Sequence, residues 1–507
     1  MDEKGPWTRA EPCRSSEGPC RRDSSSQTCC RLQAGYWPRL TKVNLFTLLS
    51  LWLELFPQEE AEENGENQKC RLGLVVVRNS KVVGLHCSGS ELHAGQVAII
   101  QHGASLSDCD LYFSRRPCAT CLKMIINAGV SQISFWPGDP EVSMLSCSST
   151  QQPHSLAVDI KEEAALDAVA TEKLKSNSRA HIRVLLQPLP PGLVHYVEST
   201  SKECDFMERL KKDDPALDTD KLFNRDRTRH MEDFSRHFLI QSSQQHRELL
   251  RLMGLENFCV EPFFSNLRNN MRETVEVLAA VAAGVPQCHH SFYREPASVP
   301  GAPRDDGVSQ EVARHCIVQA RLLAYRTEDP KVGVGAVIWA KSQEAGYSGT
   351  GSLYLVGCGY NAYPAGSEYA EYPQMDTKQE NRQTRKYRFI IHAEQNALTF
   401  RTCDIKPHEA TMLFVTKCPC DECIPLIRGA RITHIYTTDQ DRDKDKGDIS
   451  YLQFGSLKNI NKFIWQKTPS SLSQLTNGLI GKHNREQEQS HTRKKLRTSS
   501  EDLPVVS

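Results

Sequence analysis

The sequence lacks an excess of either charge, is poor in apolar residues and has no long apolar run. Lys plus Arg and Asp plus Glu each number 62 in 507 residues, which argues against a surface built throughout to bind nucleic acid or an acidic membrane. Apolar residues make up 39%, below the ~45–50% of typical globular domains, so part of the chain is expected to remain unfolded. The longest apolar-rich run, residues 43–56, is shorter than the ~20 residues of a membrane-spanning helix, so we expect no membrane partner.

A secretory signal is also missing, since the opening residues are mostly polar and charged. The 19 cysteines are therefore expected in a reducing compartment, where metal binding or catalysis is favoured over disulfides. The leucines of residues 45–55 indicate a buried helix, with a nuclear export signal as the alternative. The basic cluster at residues 493–497 is typical of a nuclear localisation signal. These features predict a protein of the cytoplasm and the nucleus.

Changes of composition divide the chain into two α/β domains joined by a helical segment. Residues 69–187 open with β-branched strands around an Asn-Ser turn, and residues 308–470 show a similar alternation of predicted strands and helices. Residues 200–307 are predicted to be helical at first and then, from residue 288, a linker rich in Pro and Gly. Residues 1–40 and 471–507 are predicted to be a disordered arm and a disordered basic tail.

Two segments of the chain match each other in the residues that carry chemistry. The pairs are His93-Ala94-Gly95-Gln96 with His392-Ala393-Glu394-Gln395, and Pro117-Cys118 to Cys121 with Pro419-Cys420 to Cys423. The offset is 299 residues at the histidines (392 − 93) and 302 at the first cysteines (420 − 118). Such a nearly constant offset implies two copies of one domain.

The second copy has the residues of a catalytic zinc site. A CxxC pair alone could be a redox pair or half of a zinc ribbon, but neither copy has a second CxxC to complete a ribbon. One His and two Cys, at His392, Cys420 and Cys423, leave the fourth tetrahedral position of zinc open, as in catalytic sites. Zinc lowers the pKa of a bound water to ~7, and Glu394 could take the proton and deliver it to a leaving amine. This pattern is the H-x-E…P-C-x-x-C signature of zinc nucleobase deaminases.

The first copy keeps the ligand residues but lacks the acidic one. His93, Cys118 and Cys121 are a second candidate zinc site, whereas Gly95 stands where the other copy has Glu394. Glu91 precedes the histidine and is expected on the wrong side of the turn. We therefore predict a non-catalytic domain, in which the three ligand residues either hold zinc as a folding element or form a buried cluster without metal.

The sequence resembles the cytidine/deoxycytidylate deaminase superfamily, most closely in the second copy. Besides the zinc motifs, the resemblance rests on residues 329–336, Gly359-Tyr360-Asn361 and Arg385-Lys386-Tyr387, which follow the order seen in deoxycytidylate deaminases. It implies an α/β fold of two cytidine-deaminase-like domains, each a mixed β-sheet sandwiched by helices, and a homo-oligomer. It also implies that Asn361 contacts the sugar or base, with a turn asparagine as the alternative. Arg385 and Lys386 could pair with phosphate oxygens, although a solvated run of charges is the alternative.

These features predict a zinc-dependent hydrolase that converts a free cytosine nucleoside or nucleotide to the uracil form with release of ammonia, in pyrimidine nucleotide metabolism. Zn²⁺ is the expected cofactor, and a small cytosine nucleoside or nucleotide is the expected partner. Deamination of DNA or RNA is the first alternative, but it calls for stacking aromatic side chains and a basic groove. An aromatic content of 7% and the neutral charge count against it. A non-enzymatic assembly protein with the deaminase fold is the second alternative.

Overall fold

The computed structural model of the chain describes most of the two predicted domains and the segment between them. The described residues are 38–57, 71–89, 91–144, 154–184, 187–286, 290–295, 307–327, 333–344, 346, 348–367, 386–447 and 449–467. Residues 1–37 of the predicted arm, the predicted tail at residues 471–507 with its basic cluster, and Arg385 lie outside these ranges, so the predictions made for them stay predictions. Residues 38–40 of the predicted arm are described, and Leu40 is buried in the core. None of the helices in the described ranges combines the length and apolarity that a membrane span needs.

The first sheet has five strands and is mixed. Its part of the chain contains α1 (Lys42–Glu54), β1 (Gly73–Arg78), β2 (Lys81–Cys87), α2 (Ala94–His102), β3 (Asp110–Phe113), α3 (Ala119–Asn127), β4 (Gln132–Phe135), the short α4 (Glu141–Met144), α5 (His154–Asn177) and β5 (His181–Val184). The strand order is β2-β1-β3-β4-β5. β1 is antiparallel to β2 and β3, whereas β3, β4 and β5 run parallel. Asn79 and Ser80 have φ values of 50° and 62°, the left-handed pair that a two-residue type I′ hairpin turn requires.

The segment between the two sheets is helical, as predicted. It contains α6 (Leu193–Lys202), α7 (Asp205–Asp213), α8 (Thr219–Phe238), α9 (Ser243–Leu252) and α10 (Phe263–Ala283). Asp218 and Ser242 are the N-caps of α8 and α9, and each side chain accepts a backbone N–H of the first turn. The last two turns of α10 are buried almost all round, which explains why their sequence is apolar without helical periodicity.

The second sheet has six strands and repeats the arrangement of the first. Its elements are β6 (His290–Arg294), α11 (Gln310–Ala324), β7 (Gly335–Lys341), β8 (Leu353–Tyr360), α12 (Ala393–Thr399), β9 (Ala410–Val415), α13 (Cys423–Gly429), β10 (His434–Thr437) and β11 (Asn461–Lys467). The order is β6-β11-β10-β9-β7-β8, with β7 antiparallel to β8 and β9, and β9, β10 and β11 parallel. Both sheets therefore contain an antiparallel pair followed by three parallel strands, and the second adds β6 at its far edge, which confirms the predicted mixed α/β fold.

The prediction of a linker from residue 288 is wrong for residues 290–294, which form β6. β6 pairs antiparallel with β11 and lies at the edge of the second sheet. Phe292 is buried against Trp465, with ring centroids 5.2 Å apart. Buried His290 contacts Asp213 at 3.1 Å. The strand was missed because its pairing is entirely non-local: the paired residues Phe292 and Trp465 are 173 positions apart (465 − 292), and neighbouring Pro and Gly residues dominate the local pattern.

α1 connects the two sheets through one shared core. Its leucines are buried, including Leu48, Leu51 and Leu53 at 0% exposure, which confirms the predicted buried helix. α1 packs against β1 of the first sheet and against α11 of the second. The Trp52 ring stacks on the His315 ring at 4.6 Å, and its Nε1–H donates to the His315 carbonyl oxygen at 2.9 Å. Both sheets belong to the compact unit Pro38–Ser507.

A buried ion pair at the end of α1 leads to a stability prediction. Glu54 is fully enclosed, and its Oε1 lies 2.7 Å from an Arg115 guanidinium nitrogen and 2.7 Å from His237 Nε2. Replacing Glu54 with Ala removes the buried carboxylate that lies against Arg115, so we expect a loss of about 3–5 kcal/mol in the free energy of unfolding. The measurement is urea denaturation followed by circular dichroism.

The matched control is Asp233→Ala, which removes the carboxylate of an exposed ion pair with Arg236. Exposed pairs contribute about 0–1 kcal/mol, so this variant should unfold close to the wild-type midpoint. Equal midpoints for Glu54→Ala and Asp233→Ala would contradict a structural role for the buried pair.

Candidate active site

The metal motif of the second copy begins at the N-terminus of α12. His392 is the N-cap residue of this helix, and its backbone N–H donates to Gln395 Oε1 at 2.8 Å. Gln395 Nε2 in turn donates to Glu422 Oε1 at 2.8 Å, in the turn that leads into α13. The histidine and the first cysteine of the motif are 28 residues apart in the chain (420 − 392). Hydrogen bonds through the Gln395 side chain connect the helix starts that carry them.

The three predicted ligands of this copy converge. His392 Nδ1 lies 3.2 Å from Cys420 Sγ and 3.4 Å from Cys423 Sγ, and all three residues are buried. A tetrahedral zinc with Zn–S of ~2.3 Å and Zn–N of ~2.0 Å has an S···N edge of about 3.5 Å. The observed separations therefore fit one tetrahedral zinc ion with these three ligands and a fourth position left for another group.

Glu394 lies in the first turn of α12 and is 4% exposed. Burial raises the pKa of the Glu394 carboxyl to about 7, because a charged carboxylate loses its hydration there. A carboxyl group with a pKa near neutrality can both accept and donate a proton at physiological pH.

The two thiols of the second copy differ in charge. A hydrogen bond from Cys423 lowers the pKa of Cys420 to about 4 and raises that of Cys423. Burial opposes the charged form of His392, but the hydrogen bond and charge of Cys420 raise the pKa of its imidazole to about 9. The arrangement thus supplies anionic sulfur, the form that binds metal.

The predicted substrate contacts lie at different places relative to this site. Ala362 and Ile391 exchange backbone hydrogen bonds of 3.2 and 2.8 Å, which places Asn361, directly after β8, next to the chain segment that leads into His392. The Asn361 Oδ1 accepts the backbone N–H of Val334, so its amide NH₂ group and the second lone pair of Oδ1 are the groups that could contact a substrate. Lys386 is buried in a short 3₁₀ turn, Lys386–Arg388.

Sequence reasoning missed one residue next to the second site. Tyr451 is buried, and burial together with the negative charges of Asp441, Cys420 and Glu394 raises its pKa. It lies in the loop between β10 and β11, which also holds Asp421 through the Ser450 hydroxyl and the Gln453 backbone N–H. No sequence signal identified this tyrosine, because its loop has no motif and reaches the site only through the fold.

The first copy brings its three predicted ligands together in the same way, with one addition. His93 is the N-cap residue of α2, and its Nδ1 lies 3.4 Å from Cys118 Sγ. Cys118 and Cys121 are buried at the start of α3. Glu141, which was not predicted, has Oε1 3.2 Å from His93 Nδ1. The four donor atoms all lie within 4.8 Å of one another, so this copy differs from the second in more than the loss of an acidic residue.

Gly95 occupies a position where α2 closely approaches α3. A Cβ atom added there would lie 2.9 Å from Cys121 Cβ and 3.1 Å from its Sγ. A glutamate in the place of Glu394 therefore does not fit this copy without displacing a ligand. This agrees with the prediction of a non-catalytic domain and adds a steric reason to it.

Substitution of Gly95 tests this close approach. Gly95→Ala is expected to cost about 1–3 kcal/mol in the free energy of unfolding through overpacking. In an inactive Glu394→Gln background, Gly95→Glu should not restore deamination, because the new side chain meets Cys121. The measurements are urea denaturation for the first variant and product formation for the second.

The control is Gly429→Ala, since an added Cβ there meets nothing within 4 Å. Its stability should be unchanged or slightly raised. Deamination recovered by Gly95→Glu would show that the first copy retains a usable substrate pocket.

Comparisons with known proteins agree with these motifs. The sequence matches the family model described as the cytidine and deoxycytidylate deaminase zinc-binding region at residues 51–136 and 310–438. It is 56% identical over 446 residues to "Cytidine and dCMP deaminase domain-containing protein 1" of Danio rerio, covering 87% of this chain and 93% of that protein. It is 32% identical over 153 residues to the deoxycytidylate deaminase of Homo sapiens, covering 30% of this chain and 77% of that one.

Among solved structures, the crystal structure of dCMP deaminase from the cyanophage S-TIM5 in apo form matches with 19% identity and a TM-score of 0.21, over 31% of this chain and 99% of that one. The two segments that match the family model contain the two His-Cys-Cys sets, one in each. The match to the Danio rerio protein extends over most of both chains. The chain belongs to the cytidine and deoxycytidylate deaminase family.

Proposed function

We propose that the second site is a zinc-dependent hydrolytic deaminase that converts a free cytosine nucleotide or nucleoside to its uracil form and releases ammonia. The observation that carries this proposal is the buried Glu394 carboxyl, two residues after His392 and beside a His-Cys-Cys set with zinc spacing. Family membership supports deaminase chemistry of the cytidine or deoxycytidylate type. The substrate class and the use of zinc are the proposed part.

His392, Cys420 and Cys423 would hold the zinc ion, which when bound supplies a nucleophilic water at neutral pH. The Glu394 carboxylate is placed to accept a proton from the attacking water, because its helix turn directly follows His392. The same carboxyl group then donates a proton to the departing amino group of the cytosine ring, so that nitrogen leaves as ammonia. Burial raises the pKa of Glu394 to about 7, which suits a group that first accepts and then donates a proton.

Asn361, Arg385 and Lys386 remain the proposed substrate contacts. The backbone bridge between Ala362 and Ile391 supports a position for Asn361 near the nucleotide. Lys386 lies in the turn that precedes the zinc motif, and this position together with its positive charge supports a role with an anionic group of the substrate. Assembly as a homo-oligomer and presence in both cytoplasm and nucleus also remain proposals.

The test is a product assay with the full-length chain and a panel of substrates. The panel contains cytidine and deoxycytidine from the nucleoside to the triphosphate, with single-stranded DNA and RNA oligonucleotides in parallel. We expect the uracil product from one or more of the free compounds. Product from the oligonucleotides alone would favour a polynucleotide deaminase, and no product from any substrate would favour an assembly protein.

A further inference from the structure

We propose that Glu141 is the fourth ligand of a closed metal site of the zinc type, formed with His93, Cys118 and Cys121 in the first copy. Such a site has no open position for water or substrate, so its metal stabilises the fold. The inference concerns the first copy alone and stands or falls independently of the activity proposed for the second.

The distances around Glu141 fit this role. Its Oε1 lies 3.2 Å from His93 Nδ1, and Cys118 Sγ lies 3.4 Å from the same nitrogen. A tetrahedral zinc with Zn–N and Zn–O of ~2.0–2.1 Å has an N···O edge of about 3.4 Å, and its S···N edge is about 3.5 Å. These two distances thus match the edges of one zinc coordination sphere, and all four donor atoms lie within 4.8 Å of one another.

Glu141 is also anchored to the loop that supplies the cysteines. Its Oε2 accepts the backbone N–H of Cys118 at 2.9 Å, and its own N–H donates to the Arg116 carbonyl oxygen at 3.0 Å. Glu141 is only 7% exposed. One carboxylate oxygen is therefore held by the backbone while the other faces His93, as for a ligand whose orientation is fixed by its surroundings.

The second copy provides an internal comparison. Among the described residues, its cluster consists of three donors, His392, Cys420 and Cys423, without a fourth. The acidic group there comes from the helix that follows the histidine, whereas Gly95 leaves no room for such a group in the first copy. In the first copy the carboxylate approaches instead from α4. Both copies thus have a His-Cys-Cys set. In the second copy the fourth metal position is open, whereas in the first copy Glu141 fills it.

The charges of the set are those of a structural zinc site. Two thiolates, one carboxylate and a neutral imidazole carry three negative charges in total, so binding Zn²⁺ leaves a net charge of about −1. Buried Arg116, two residues before Cys118, is paired with Asp167 at 3.3 Å, so this ion pair leaves the net charge of the loop unchanged.

The experiment uses the full-length chain and three single variants, Glu141→Gln, Glu141→Ala and the control Glu163→Gln, which changes an exposed glutamate of α5. Zinc per chain is measured by atomic emission, and zinc release is followed with a chromophoric chelator. Cobalt-loaded protein reports ligand number and type through its visible absorption. We expect two zinc ions in the wild type and the control.

In both Glu141 variants the zinc of the first copy should be released at least about 10–100-fold faster. Loss of a group that only hydrogen-bonds a metal ligand already lowers metal affinity by this factor. The cobalt spectrum should change in the same variants, and the Tm should fall. Glu141→Gln separates a ligand from a structural group, since the amide oxygen can still accept the Cys118 N–H but binds zinc poorly. A lower Tm with unchanged zinc release and cobalt spectrum would overturn the proposal.

A further variant identifies which site loses its metal. His93→Ala should remove one zinc ion per chain and abolish the effect of Glu141→Gln on release. One zinc ion per chain in both the wild type and His93→Ala would show that the first copy binds no metal and that the proposal is wrong. Deamination by the second site is measured separately, and its result does not test whether Glu141 is a metal ligand.

Discussion

Replacing Glu394 with Gln is expected to lower kcat for deamination by about 10³-fold, within the 10²–10⁴-fold range of general acid–base catalysis. The amide occupies nearly the same volume in this buried position but cannot accept the proton of the attacking water. Zinc content should not change, because His392, Cys420 and Cys423 are all retained. The measurements are steady-state product formation and zinc per chain on the same preparation.

The control for this variant is Glu344→Gln, which changes an exposed glutamate in the β7–β8 connection. It should have wild-type turnover and zinc content. Turnover retained by Glu394→Gln would remove Glu394 from the chemistry, and loss of zinc in that variant would show that its effect is structural.

Replacing Trp52 with Ala is expected to destabilise the whole unit by about 3–5 kcal/mol, the usual cost of truncating a large buried aromatic side chain. Trp52 stacks on His315 of α11 and has its ring centroid 6.2 Å from that of Phe234 in α8. Trp52 therefore contacts α11, which belongs to the second domain, and α8 of the helical segment between the sheets. Urea denaturation, followed by circular dichroism and by loss of deamination, should give one transition shifted to lower urea in both signals.

Trp52→Phe serves as the matched control. It keeps an aromatic ring on His315 but loses the Nε1–H hydrogen bond to the His315 carbonyl, so the expected loss is about 1–2 kcal/mol. Two separate transitions in Trp52→Ala, with the activity following only the later one, would show that the second sheet folds without the first.

The ligand set of the second site could be predicted from sequence because each half of it is local. A glutamate follows the histidine by two positions at one helix start, and the two cysteines are three positions apart at the start of the next helix. Once strands were predicted before and after each motif, the fold had to bring the two helix termini together. The structure places His392, Cys420 and Cys423 in one buried cluster, as this reasoning requires.

Elements and side chains whose positions depend on contacts with residues far away in the sequence could not be predicted in this way. β6 is defined by hydrogen bonds to β11, and Glu141 reaches His93 from a short helix 20 positions after Cys121 (141 − 121). Neither has a local pattern that distinguishes it from a loop. For Asn361 the resemblance predicts a substrate contact, but its bond to the Val334 N–H depends on how two chain segments meet.

The most direct test of the proposed reaction is the origin of the new oxygen in the product. Wild-type protein and Glu394→Gln are incubated with the best free cytosine substrate in ¹⁸O-labelled water, and the uracil product is analysed by mass spectrometry. We predict one labelled oxygen at C4 of the uracil ring in the wild-type reaction and almost no product from Glu394→Gln. Unlabelled uracil product, or labelled product formed equally fast by Glu394→Gln, would contradict hydrolytic deamination by this site.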